Sequence, residues 1–319
     1  MKRVLVISLL SATLGTFYGV VMTFCQLNPV DVCFGRGILQ TALFGFKHCI
    51  STSRSGKDYE QHEHLFSWIA SLLSFLTSYL IALTFTWLPL GDAAIVGKLT
   101  IVFTALFARI LSNCFIPLNK VFCFVSLMIG QICVLQPSFL FGWHEALVVE
   151  WRFYVGSIAG LFASMGLALV FVLVGVKLPN VPKELILIRA GGLHLITWTF
   201  IRVLLPEITG PYPLERVGLT FLSSGLIVLS FYAEILALEG CSPVLVSLLT
   251  SLDMVFSFII QVLLSHQSAN YLNWLGVGMI LISTAGASYI DNEQNISINN
   301  YQGLIAKNAN SKSDAVEQP

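Results

Sequence analysis

The chain has 319 residues, of which 56% are hydrophobic and 11% charged, and its 17 Lys and Arg residues balance its 17 Asp and Glu residues. Soluble domains carry about 25% charged residues, so this composition excludes an ordinary water-soluble fold. Ten membrane spans of roughly 20 residues fit the length, and they leave short loops and one polar tail but no room for a soluble domain.

Uncharged apolar runs predict ten transmembrane helices, in chain order near residues 4–24, 31–50, 65–87, 91–112, 119–136, 154–176, 184–205, 217–238, 243–265 and 272–290. The first run is long enough to span and has no small-residue cleavage site after it, so it is interpreted as an anchor rather than a cleaved signal peptide. From Asp291 onward the sequence is polar, which predicts a disordered tail.

The distribution of Lys and Arg predicts the orientation, because positive residues are retained on the cytoplasmic side. With the N-terminus inside, eleven of them fall on the cytoplasmic side of these ten spans, and only Arg152 and Arg216 fall on the other. Both termini are therefore predicted to be cytoplasmic. The pattern does not distinguish the plasma membrane from the endoplasmic reticulum or Golgi.

An internal repeat is indicated by a shift of 153 residues. Pro29 precedes Arg36 by seven residues, and Pro182 precedes Arg189 by seven (182 minus 29 and 189 minus 36 are both 153). The same shift aligns residues 99–104 with 252–257, Tyr79 with Tyr232, and Ser11 with Ser164. The alternative is convergent apolar composition, since any two hydrophobic helices share many aliphatic matches.

The repeat predicts the domain organisation. Residues 1–140 and 150–290 each hold five spans, and residues 291–319 form a cytoplasmic tail. Because five is odd, the second copy enters the membrane from the opposite side, which is an inverted-topology repeat. The predicted fold is thus an all-α integral membrane protein of ten transmembrane helices in two inverted five-helix repeats.

Several segments resemble a known family. Residues 36–40 (RGILQ), 88–93 (LPLGDA) and 136–142 (QPSFLFG) resemble EamA-type members of the drug/metabolite transporter superfamily. Residues 237–244 (ALEGCSPV) and 253–258 (DMVFSF) resemble the G branch of the solute carriers related to nucleotide-sugar transporters. The resemblance implies a carrier with its substrate between helices one to four and six to nine.

One departure from the EamA pattern limits what the resemblance implies. Many EamA-type proteins have a glutamate at the end of helix four, where this sequence has Asn113 and Cys114; the matching end of helix nine reads Ser265, His266, Gln267. A coupling role for those glutamates therefore does not carry over.

Charged residues inside the spans are the main functional signal, because an ionisable group in hydrocarbon costs about 2.5–3.5 kcal/mol unless it faces a cavity, pairs or snorkels. Arg36 and Arg189 are repeat partners near opposite mouths, where a guanidinium can bind a carboxylate or phosphate. Alternatively, each arginine ties helix ends together or binds lipid phosphate.

Glu234 and Asp253 lie on polar stripes of helices eight and nine, and serines at helical spacing form a third stripe on helix three. Lys98 lies about 200° round its helix from the position that matches Asp253, so a pair between them stays open. The candidate substrate-binding residues are Arg36, Gln40, Ser78, Lys98, Arg189, Tyr232, Glu234, Asp253 and Ser257.

The predicted function is secondary transport of a small polar organic solute, with an organic anion as one class, by alternating access. Two alternatives are a nucleotide-sugar or nucleotide carrier of secretory membranes and a non-transporting scaffold with a carrier fold. No phosphate-binding glycine loop, nucleophile triad or metal-type spacing appears, so no enzyme activity, catalytic residue, metal or cofactor is predicted. The expected partners are a small-molecule substrate and membrane lipid, without nucleic acid, and the oligomeric state is left open.

Overall fold

The computed structural model describes residues 2–52, 61–88, 90–112, 117–136, 151–204, 214–265 and 270–291. Within these ranges every regular element is helical. The helices are α1 (Lys2–Cys25), α2 (Pro29–Thr52), α3 (Gln61–Trp87), α4 (Leu90–Lys98), α5 (Thr100–Ser112), α6 (Leu118–Leu135), α7 (Trp151–Val172), α8 (Lys183–Leu204), α9 (Leu214–Ala237), α10 (Pro243–Thr250), α11 (Asp253–Ser265) and α12 (Tyr271–Asp291).

Nine helical segments of the described ranges are long and apolar enough to cross a membrane. The ten spans predicted from the sequence include α2, which has 24 residues but interrupts its apolar sequence with Asp31, Arg36 and Lys47 and is not one of the nine. Large apolar side chains cover the outside of the bundle, with Phe46, Ile196 and Ile282 each more than 70% exposed. A surface of this kind suits lipid rather than water.

Two of the nine spans are interrupted near their middles. One consists of α4 and α5, which are separated at Leu99, and the other consists of α10 and α11. Hydroxyls beside both interruptions bond to carbonyls three residues back, from Thr100 Oγ1 to Gly97 O (2.7 Å) and from Ser251 Oγ to Leu248 O (2.6 Å). Such bonds compete with the helical ladder and bend helices.

The most extensive helix packing joins α1 to α9, α2 to α8 and α3 to α7. Glycines allow close approach in the second of these pairs. A Cβ added at Gly37 would lie 2.8 Å from Leu195 N, and one added at Gly191 would lie 3.0 Å from Thr41 N. The α2 and α8 backbones are therefore in direct contact, as small residues permit between membrane helices.

Several predictions lie outside the described residues. They are the disordered tail over 292–319, the family segment over 137–142, and residues 113–114 and 266–267 at the ends of the predicted fourth and ninth spans.

Candidate functional site

A central cavity of about 150 Å³ lies between the helices of the bundle. Helices α1, α2, α3, α4, α5, α7, α9 and α11 all contribute to its wall. Its charged and hydroxyl-bearing lining residues are Thr16, Tyr18, Arg36, Thr77, Ser78, Lys98, Thr100, Ser164, Ser230, Glu234, Asp253 and Ser257. The structure thus brings six of the nine sequence-predicted site residues to one cavity, namely Arg36, Ser78, Lys98, Glu234, Asp253 and Ser257.

Lys98 and Asp253 form an ion pair across the cavity wall. Lys98 Nζ lies 2.6 Å from Asp253 Oδ2 and 3.3 Å from Thr250 O. Lys98 ends α4 and Asp253 begins α11, so each charge lies at the helix end whose dipole favours it. The 200° separation expected for a continuous helix does not apply, because the helix is interrupted at Leu99 between Lys98 and Thr100.

Glu234 is held by a pair of serines rather than by a cation. Ser11 Oγ lies 3.2 Å from Glu234 Oε1 and 3.1 Å from Ser230 O, and Ser230 Oγ donates in return to Ser11 O at 3.0 Å. Both serines are fully or almost fully buried. Gly15 and Gly19 of the same helix line the cavity, and Ser11 contacts its carboxylate.

Arg36 is buried at the cavity with neutral partners. Its side chain is 5% exposed, its Nε donates to Gln40 Oε1 at 3.2 Å, and its guanidinium lies 5.2 Å from the Phe231 ring centroid. Within the described part of the chain Arg36 has no carboxylate partner at ion-pair distance. Gln40, one helical turn further on, holds the Arg36 side chain through this hydrogen bond and is itself 1% exposed.

Arg189 is not among the residues that line this cavity. Arg189 Nη1 donates to Ser67 Oγ at 2.8 Å, and its guanidinium lies 4.6 Å from the Trp68 ring centroid. Its other near contact is His64 Nδ1 at 3.5 Å. These partners belong to the first two turns of α3, which place Arg189 at one end of the bundle.

Tyr232 also faces away from the cavity. Its hydroxyl bonds to Lys47 Nζ, which forms an ion pair with Glu184 Oε1 at 2.5 Å. The ring packs against Phe44, with centroids 4.7 Å apart. Its neighbour Phe231 lines the cavity instead, because successive residues of a helix differ by about 100°.

Sequence reasoning missed the aromatic part of the site. Tyr18, Phe85 and Phe231 line the cavity, but single aromatic residues in apolar helices carry no signal that separates a cavity wall from core packing. Ser230 could have been predicted as a cavity residue, because it lies on the same polar stripe of α9 as Glu234.

The lining of the cavity is suited to binding a polar ligand. The cavity contains two cations and two carboxylates, and therefore has no net formal charge. Lys98 and Asp253 are mutually paired, while Arg36 and Glu234 have neutral hydrogen-bond partners. Hydroxyls and aromatic faces around them provide the remaining contacts of a polar organic molecule.

Two proteins resemble this chain in sequence. Solute carrier family 35 member G1 of Homo sapiens is 24% identical over 247 residues, which are 75% of this chain and 66% of that protein. Solute carrier family 35 member G1 of Mus musculus is 24% identical over 299 residues, which are 86% of this chain and 78% of that protein. The aligned region therefore spans slightly less than two thirds of the human relative's length.

A solved crystal structure of a protein has the same fold. It superposes with a TM-score of 0.70 over 92% of this chain and 99% of that chain, at 13% sequence identity. No protein-family model matches the chain. The chain is thus a multi-pass helical membrane protein that shares the fold of this solved structure and has weak sequence similarity to a family 35 solute carrier.

Proposed function

We propose that this chain is a secondary transporter that moves a small polar organic solute, with an organic anion as the favoured class, by alternating access. The observation that carries the proposal is a buried guanidinium, that of Arg36, facing a central cavity with only neutral partners. A buried cation without a counter-ion is costly, and an anionic ligand compensates it. The similarity to two solute carriers supports the same function.

Alternating access in this proposal depends on two inverted halves, and the helix bounds support the shift of 153. Helices α4 and α10 begin at Leu90 and Pro243, and α5 and α11 end at Ser112 and Ser265 (243 minus 90 and 265 minus 112 are both 153). The interruption itself recurs, at Leu99 in one half and beside Leu252 in the other. Two halves of one design, inserted oppositely, can exchange conformations around a fixed site.

The packing also supports a pseudo-two-fold relation between the halves. Under the shift, α1 corresponds to α7 and α3 corresponds to α9. The extensive contact of α1 with α9 is therefore equivalent to the extensive contact of α7 with α3. The third pair, α2 with α8, joins two corresponding helices. This pattern is expected if the axis passes between α2 and α8.

Polar contacts at the helix ends repeat in the same way. Lys120, near the start of α6, forms an ion pair with Asp291 at the end of α12, and its counterpart Asn273 donates to Val134 O near the end of α6 at 2.7 Å. Likewise, Glu184 pairs with Lys47, and its counterpart Asp31 lies 3.8 Å from Arg202 (31 plus 153 is 184). These polar contacts thus join the two proposed halves at their helix ends.

In this proposal α2 is the tenth span. It runs antiparallel to α8, one of the nine apolar spans, with contacts from Lys47 and Glu184 at one end to Asp31 and Arg202 at the other. A helix that accompanies a membrane span over this length crosses the same thickness. Packing against α8 and α9 removes Asp31 and Arg36 from lipid, while Lys47 lies near the end of α2 in its ion pair with Glu184.

The size of the cavity favours a small solute over a nucleotide sugar. Sites for drug-sized ligands measure about 300–1,000 Å³, whereas this cavity measures about 150 Å³. A compact organic acid fits such a volume without rearrangement of the wall. A nucleotide sugar needs a substantially larger site.

The test is uptake of a panel of labelled metabolites into liposomes that contain the purified chain. The panel contains carboxylates, amino acids, sugars and nucleoside monophosphates, and wild-type protein is expected to accumulate a small organic acid. Arg36→Ala is expected to reduce that uptake by about 10- to 100-fold, because a charge-assisted hydrogen bond contributes about 1.5–3 kcal/mol. Arg36→Lys is expected to recover part of the loss, since it keeps the charge but not the bidentate geometry.

Arg109→Ala is the matched control, because Arg109 lies on the exposed side of α5 outside the cavity wall. It is expected to transport at the wild-type rate. Nucleoside monophosphates as the preferred solutes would favour the nucleotide-sugar alternative. Absence of uptake for every solute, with a correctly folded protein, would favour the scaffold alternative.

A further inference from the structure

We propose that Glu234 binds a proton when an anion binds at Arg36, so that the anion and the proton cross the membrane together. The inference rests on the proposed function and specifies the coupling at the same site. It follows from the charges of the cavity and from the hydrogen bonds of one hydroxyl group.

The charge balance of the cavity requires a compensating ion when an anion binds. Lys98 and Asp253 already neutralise each other at 2.6 Å, and Lys98 is further held by Thr250 O. An anion on Arg36 then leaves Glu234 as an uncompensated carboxylate in the same enclosed space, where like charges repel strongly. A proton on Glu234 restores neutrality, since the loaded cavity again has no net formal charge.

Ser11 is placed to satisfy Glu234 in both protonation states. Its single hydroxyl proton has three acceptors within reach, Glu234 Oε1 at 3.2 Å, Ser230 O at 3.1 Å and Ser230 Oγ at 3.2 Å. When Glu234 is ionised, Ser11 donates to the carboxylate. When Glu234 is protonated, its O–H donates to Ser11 Oγ, and Ser11 donates to the Ser230 carbonyl.

The serine pair thus works as a two-position switch. Neither state leaves a buried donor or acceptor unpaired in this cluster, which would otherwise cost free energy in one state. The second bond between the serines, from Ser230 Oγ to Ser11 O at 3.0 Å, stays in place throughout. In each cycle the proton leaves water on one side, forms the O–H bond on Glu234, and returns to water on the other.

The other ionisable groups around Glu234 leave it as the best-placed proton acceptor of the cavity. Asp253 on α11 is already bound to a cation, and α10 carries no ionisable side chain. The remaining groups, from the elements packed around Glu234, are Tyr18 of α1, Arg36 and Lys47 of α2, Lys98 of α4, and Glu184 and His194 of α8. His194 Nδ1 already accepts from Trp198 Nε1 at 3.1 Å, and Lys47 and Glu184 bind each other.

The test measures proton and anion movement together. Full-length protein is reconstituted with a trapped pH-sensitive dye, the membrane potential is clamped, and one of three monoanions, sodium lactate, glycolate or isethionate, is added outside at pH 7 to 8. Isethionate is permanently ionised, so any proton that accompanies it is carried by the protein. Wild-type protein is expected to acidify the lumen as the anion enters, with uptake rising up to tenfold for each unit by which the external pH is lowered.

Glu234→Gln is expected to reduce the acidification at least tenfold while anion exchange across the membrane continues, because the amide keeps the hydrogen bond with Ser11 and mimics the protonated state. Ser11→Ala is expected to flatten the pH dependence. The controls are Glu215→Gln, an exposed acid in the first turn of the same helix, and Ser8→Ala, a buried serine of α1 outside the cavity wall. Both controls are expected to behave as wild type.

Two results would contradict this inference without contradicting the proposed function. One is anion uptake without acidification, or with acidification that Glu234→Gln leaves unchanged. The other is uptake of alanine in preference to the anions, lost in Glu234→Gln, which would show that Glu234 binds an ammonium group. If no solute of the full panel enters, the proposed function fails, and this inference fails with it.

Discussion

The four charged residues of the cavity form one ion pair, called the closed pair below, and two separate groups. Lys98 and Asp253 satisfy each other, and Thr250 O accepts a further bond from the lysine. Arg36 and Glu234 have neutral partners, a glutamine amide oxygen and a serine hydroxyl. We therefore expect a structural role for the closed pair, while Arg36 is the proposed anion contact and Glu234 the proposed proton site.

The structural role of the closed pair predicts a stability pattern. Lys98→Met leaves Asp253 without its cation, and breaking a buried ion pair costs about 3–5 kcal/mol. The cost here is expected near or below the lower end, since the two side chains are 16% and 25% exposed. The double variant Lys98→Met with Asp253→Asn is expected to recover most of the loss, because neither partner is then left charged.

The measurement is thermal unfolding of the purified variants in detergent, followed by tryptophan fluorescence. Lys120→Met serves as a comparison, since it breaks the Asp291 ion pair far from the cavity and is expected to lower stability without altering ligand binding. Equal melting temperatures for wild type and Lys98→Met would contradict the assignment of a structural role to this pair.

Helices place the site through close backbone contact and through two interruptions. Helices α2 and α8 touch at glycines, so Arg36 and Gln40 reach the interior and not the lipid. The interruption at Leu99 turns Lys98 toward α11, where its partner Asp253 begins the helix. Both effects depend on where a helix bends or approaches another, which no single side chain determines.

The α2–α8 contact predicts opposite effects at adjacent glycines. A Cβ at Gly191 would lie 2.7 Å from Thr41 Oγ1 and 3.0 Å from Thr41 N, so Gly191→Ala must separate the two helices. Forced overpacking costs about 1–3 kcal/mol. A Cβ at Gly192 would meet nothing within 4 Å, so Gly192→Ala is expected to be neutral or slightly stabilising.

Thermal unfolding of the two variants side by side provides the comparison. Gly191→Ala is also expected to weaken ligand binding, because it displaces Gln40, which supports Arg36. A variant at Gly191 as stable as the one at Gly192 would show that the helices separate at little cost.

At the scale of the whole molecule, the proposed relation between two halves is a shift of 153 residues, and the proposed transport cycle depends on their opposite orientations. Bounds of helices, packing pairs and end contacts all support that relation. The membrane orientation rests on the charge count of the loops. It is therefore a separate prediction.

The charge count predicts that both termini are cytoplasmic, and glycosylation reports on this. Residues 295–297 (NIS) form a glycosylation sequon in the tail, outside the described residues, and a cytoplasmic tail leaves it unmodified. A sequon introduced between α6 and α7 is expected to be glycosylated, because that loop lies on the opposite side. The measurement is the shift in electrophoretic mobility after treatment with a glycosidase, and modification at Asn295 would invert the orientation.

Many features of this protein could be predicted from its sequence, because they depend on local properties of the chain. Runs of about 20 apolar residues report membrane spans, and charges inside such runs stand out since lipid tolerates them poorly. Six of the nine candidate site residues line the central cavity for this reason. Arg189 and Tyr232 do not, although Arg189 shares the repeat position of Arg36 and Tyr232 adjoins Phe231.

Only the tertiary structure decided which polar groups meet. A helical wheel placed Lys98 about 200° from the position that matches Asp253 and left a pair between them open, and the interruption at Leu99 brings the two together. Ser11 contacts Glu234 although 223 residues separate them, because α1 packs along α9. Side-chain periodicity is a property of one helix, whereas contact between helices depends on their crossing, axial register and interruptions, which distant parts of the chain determine together.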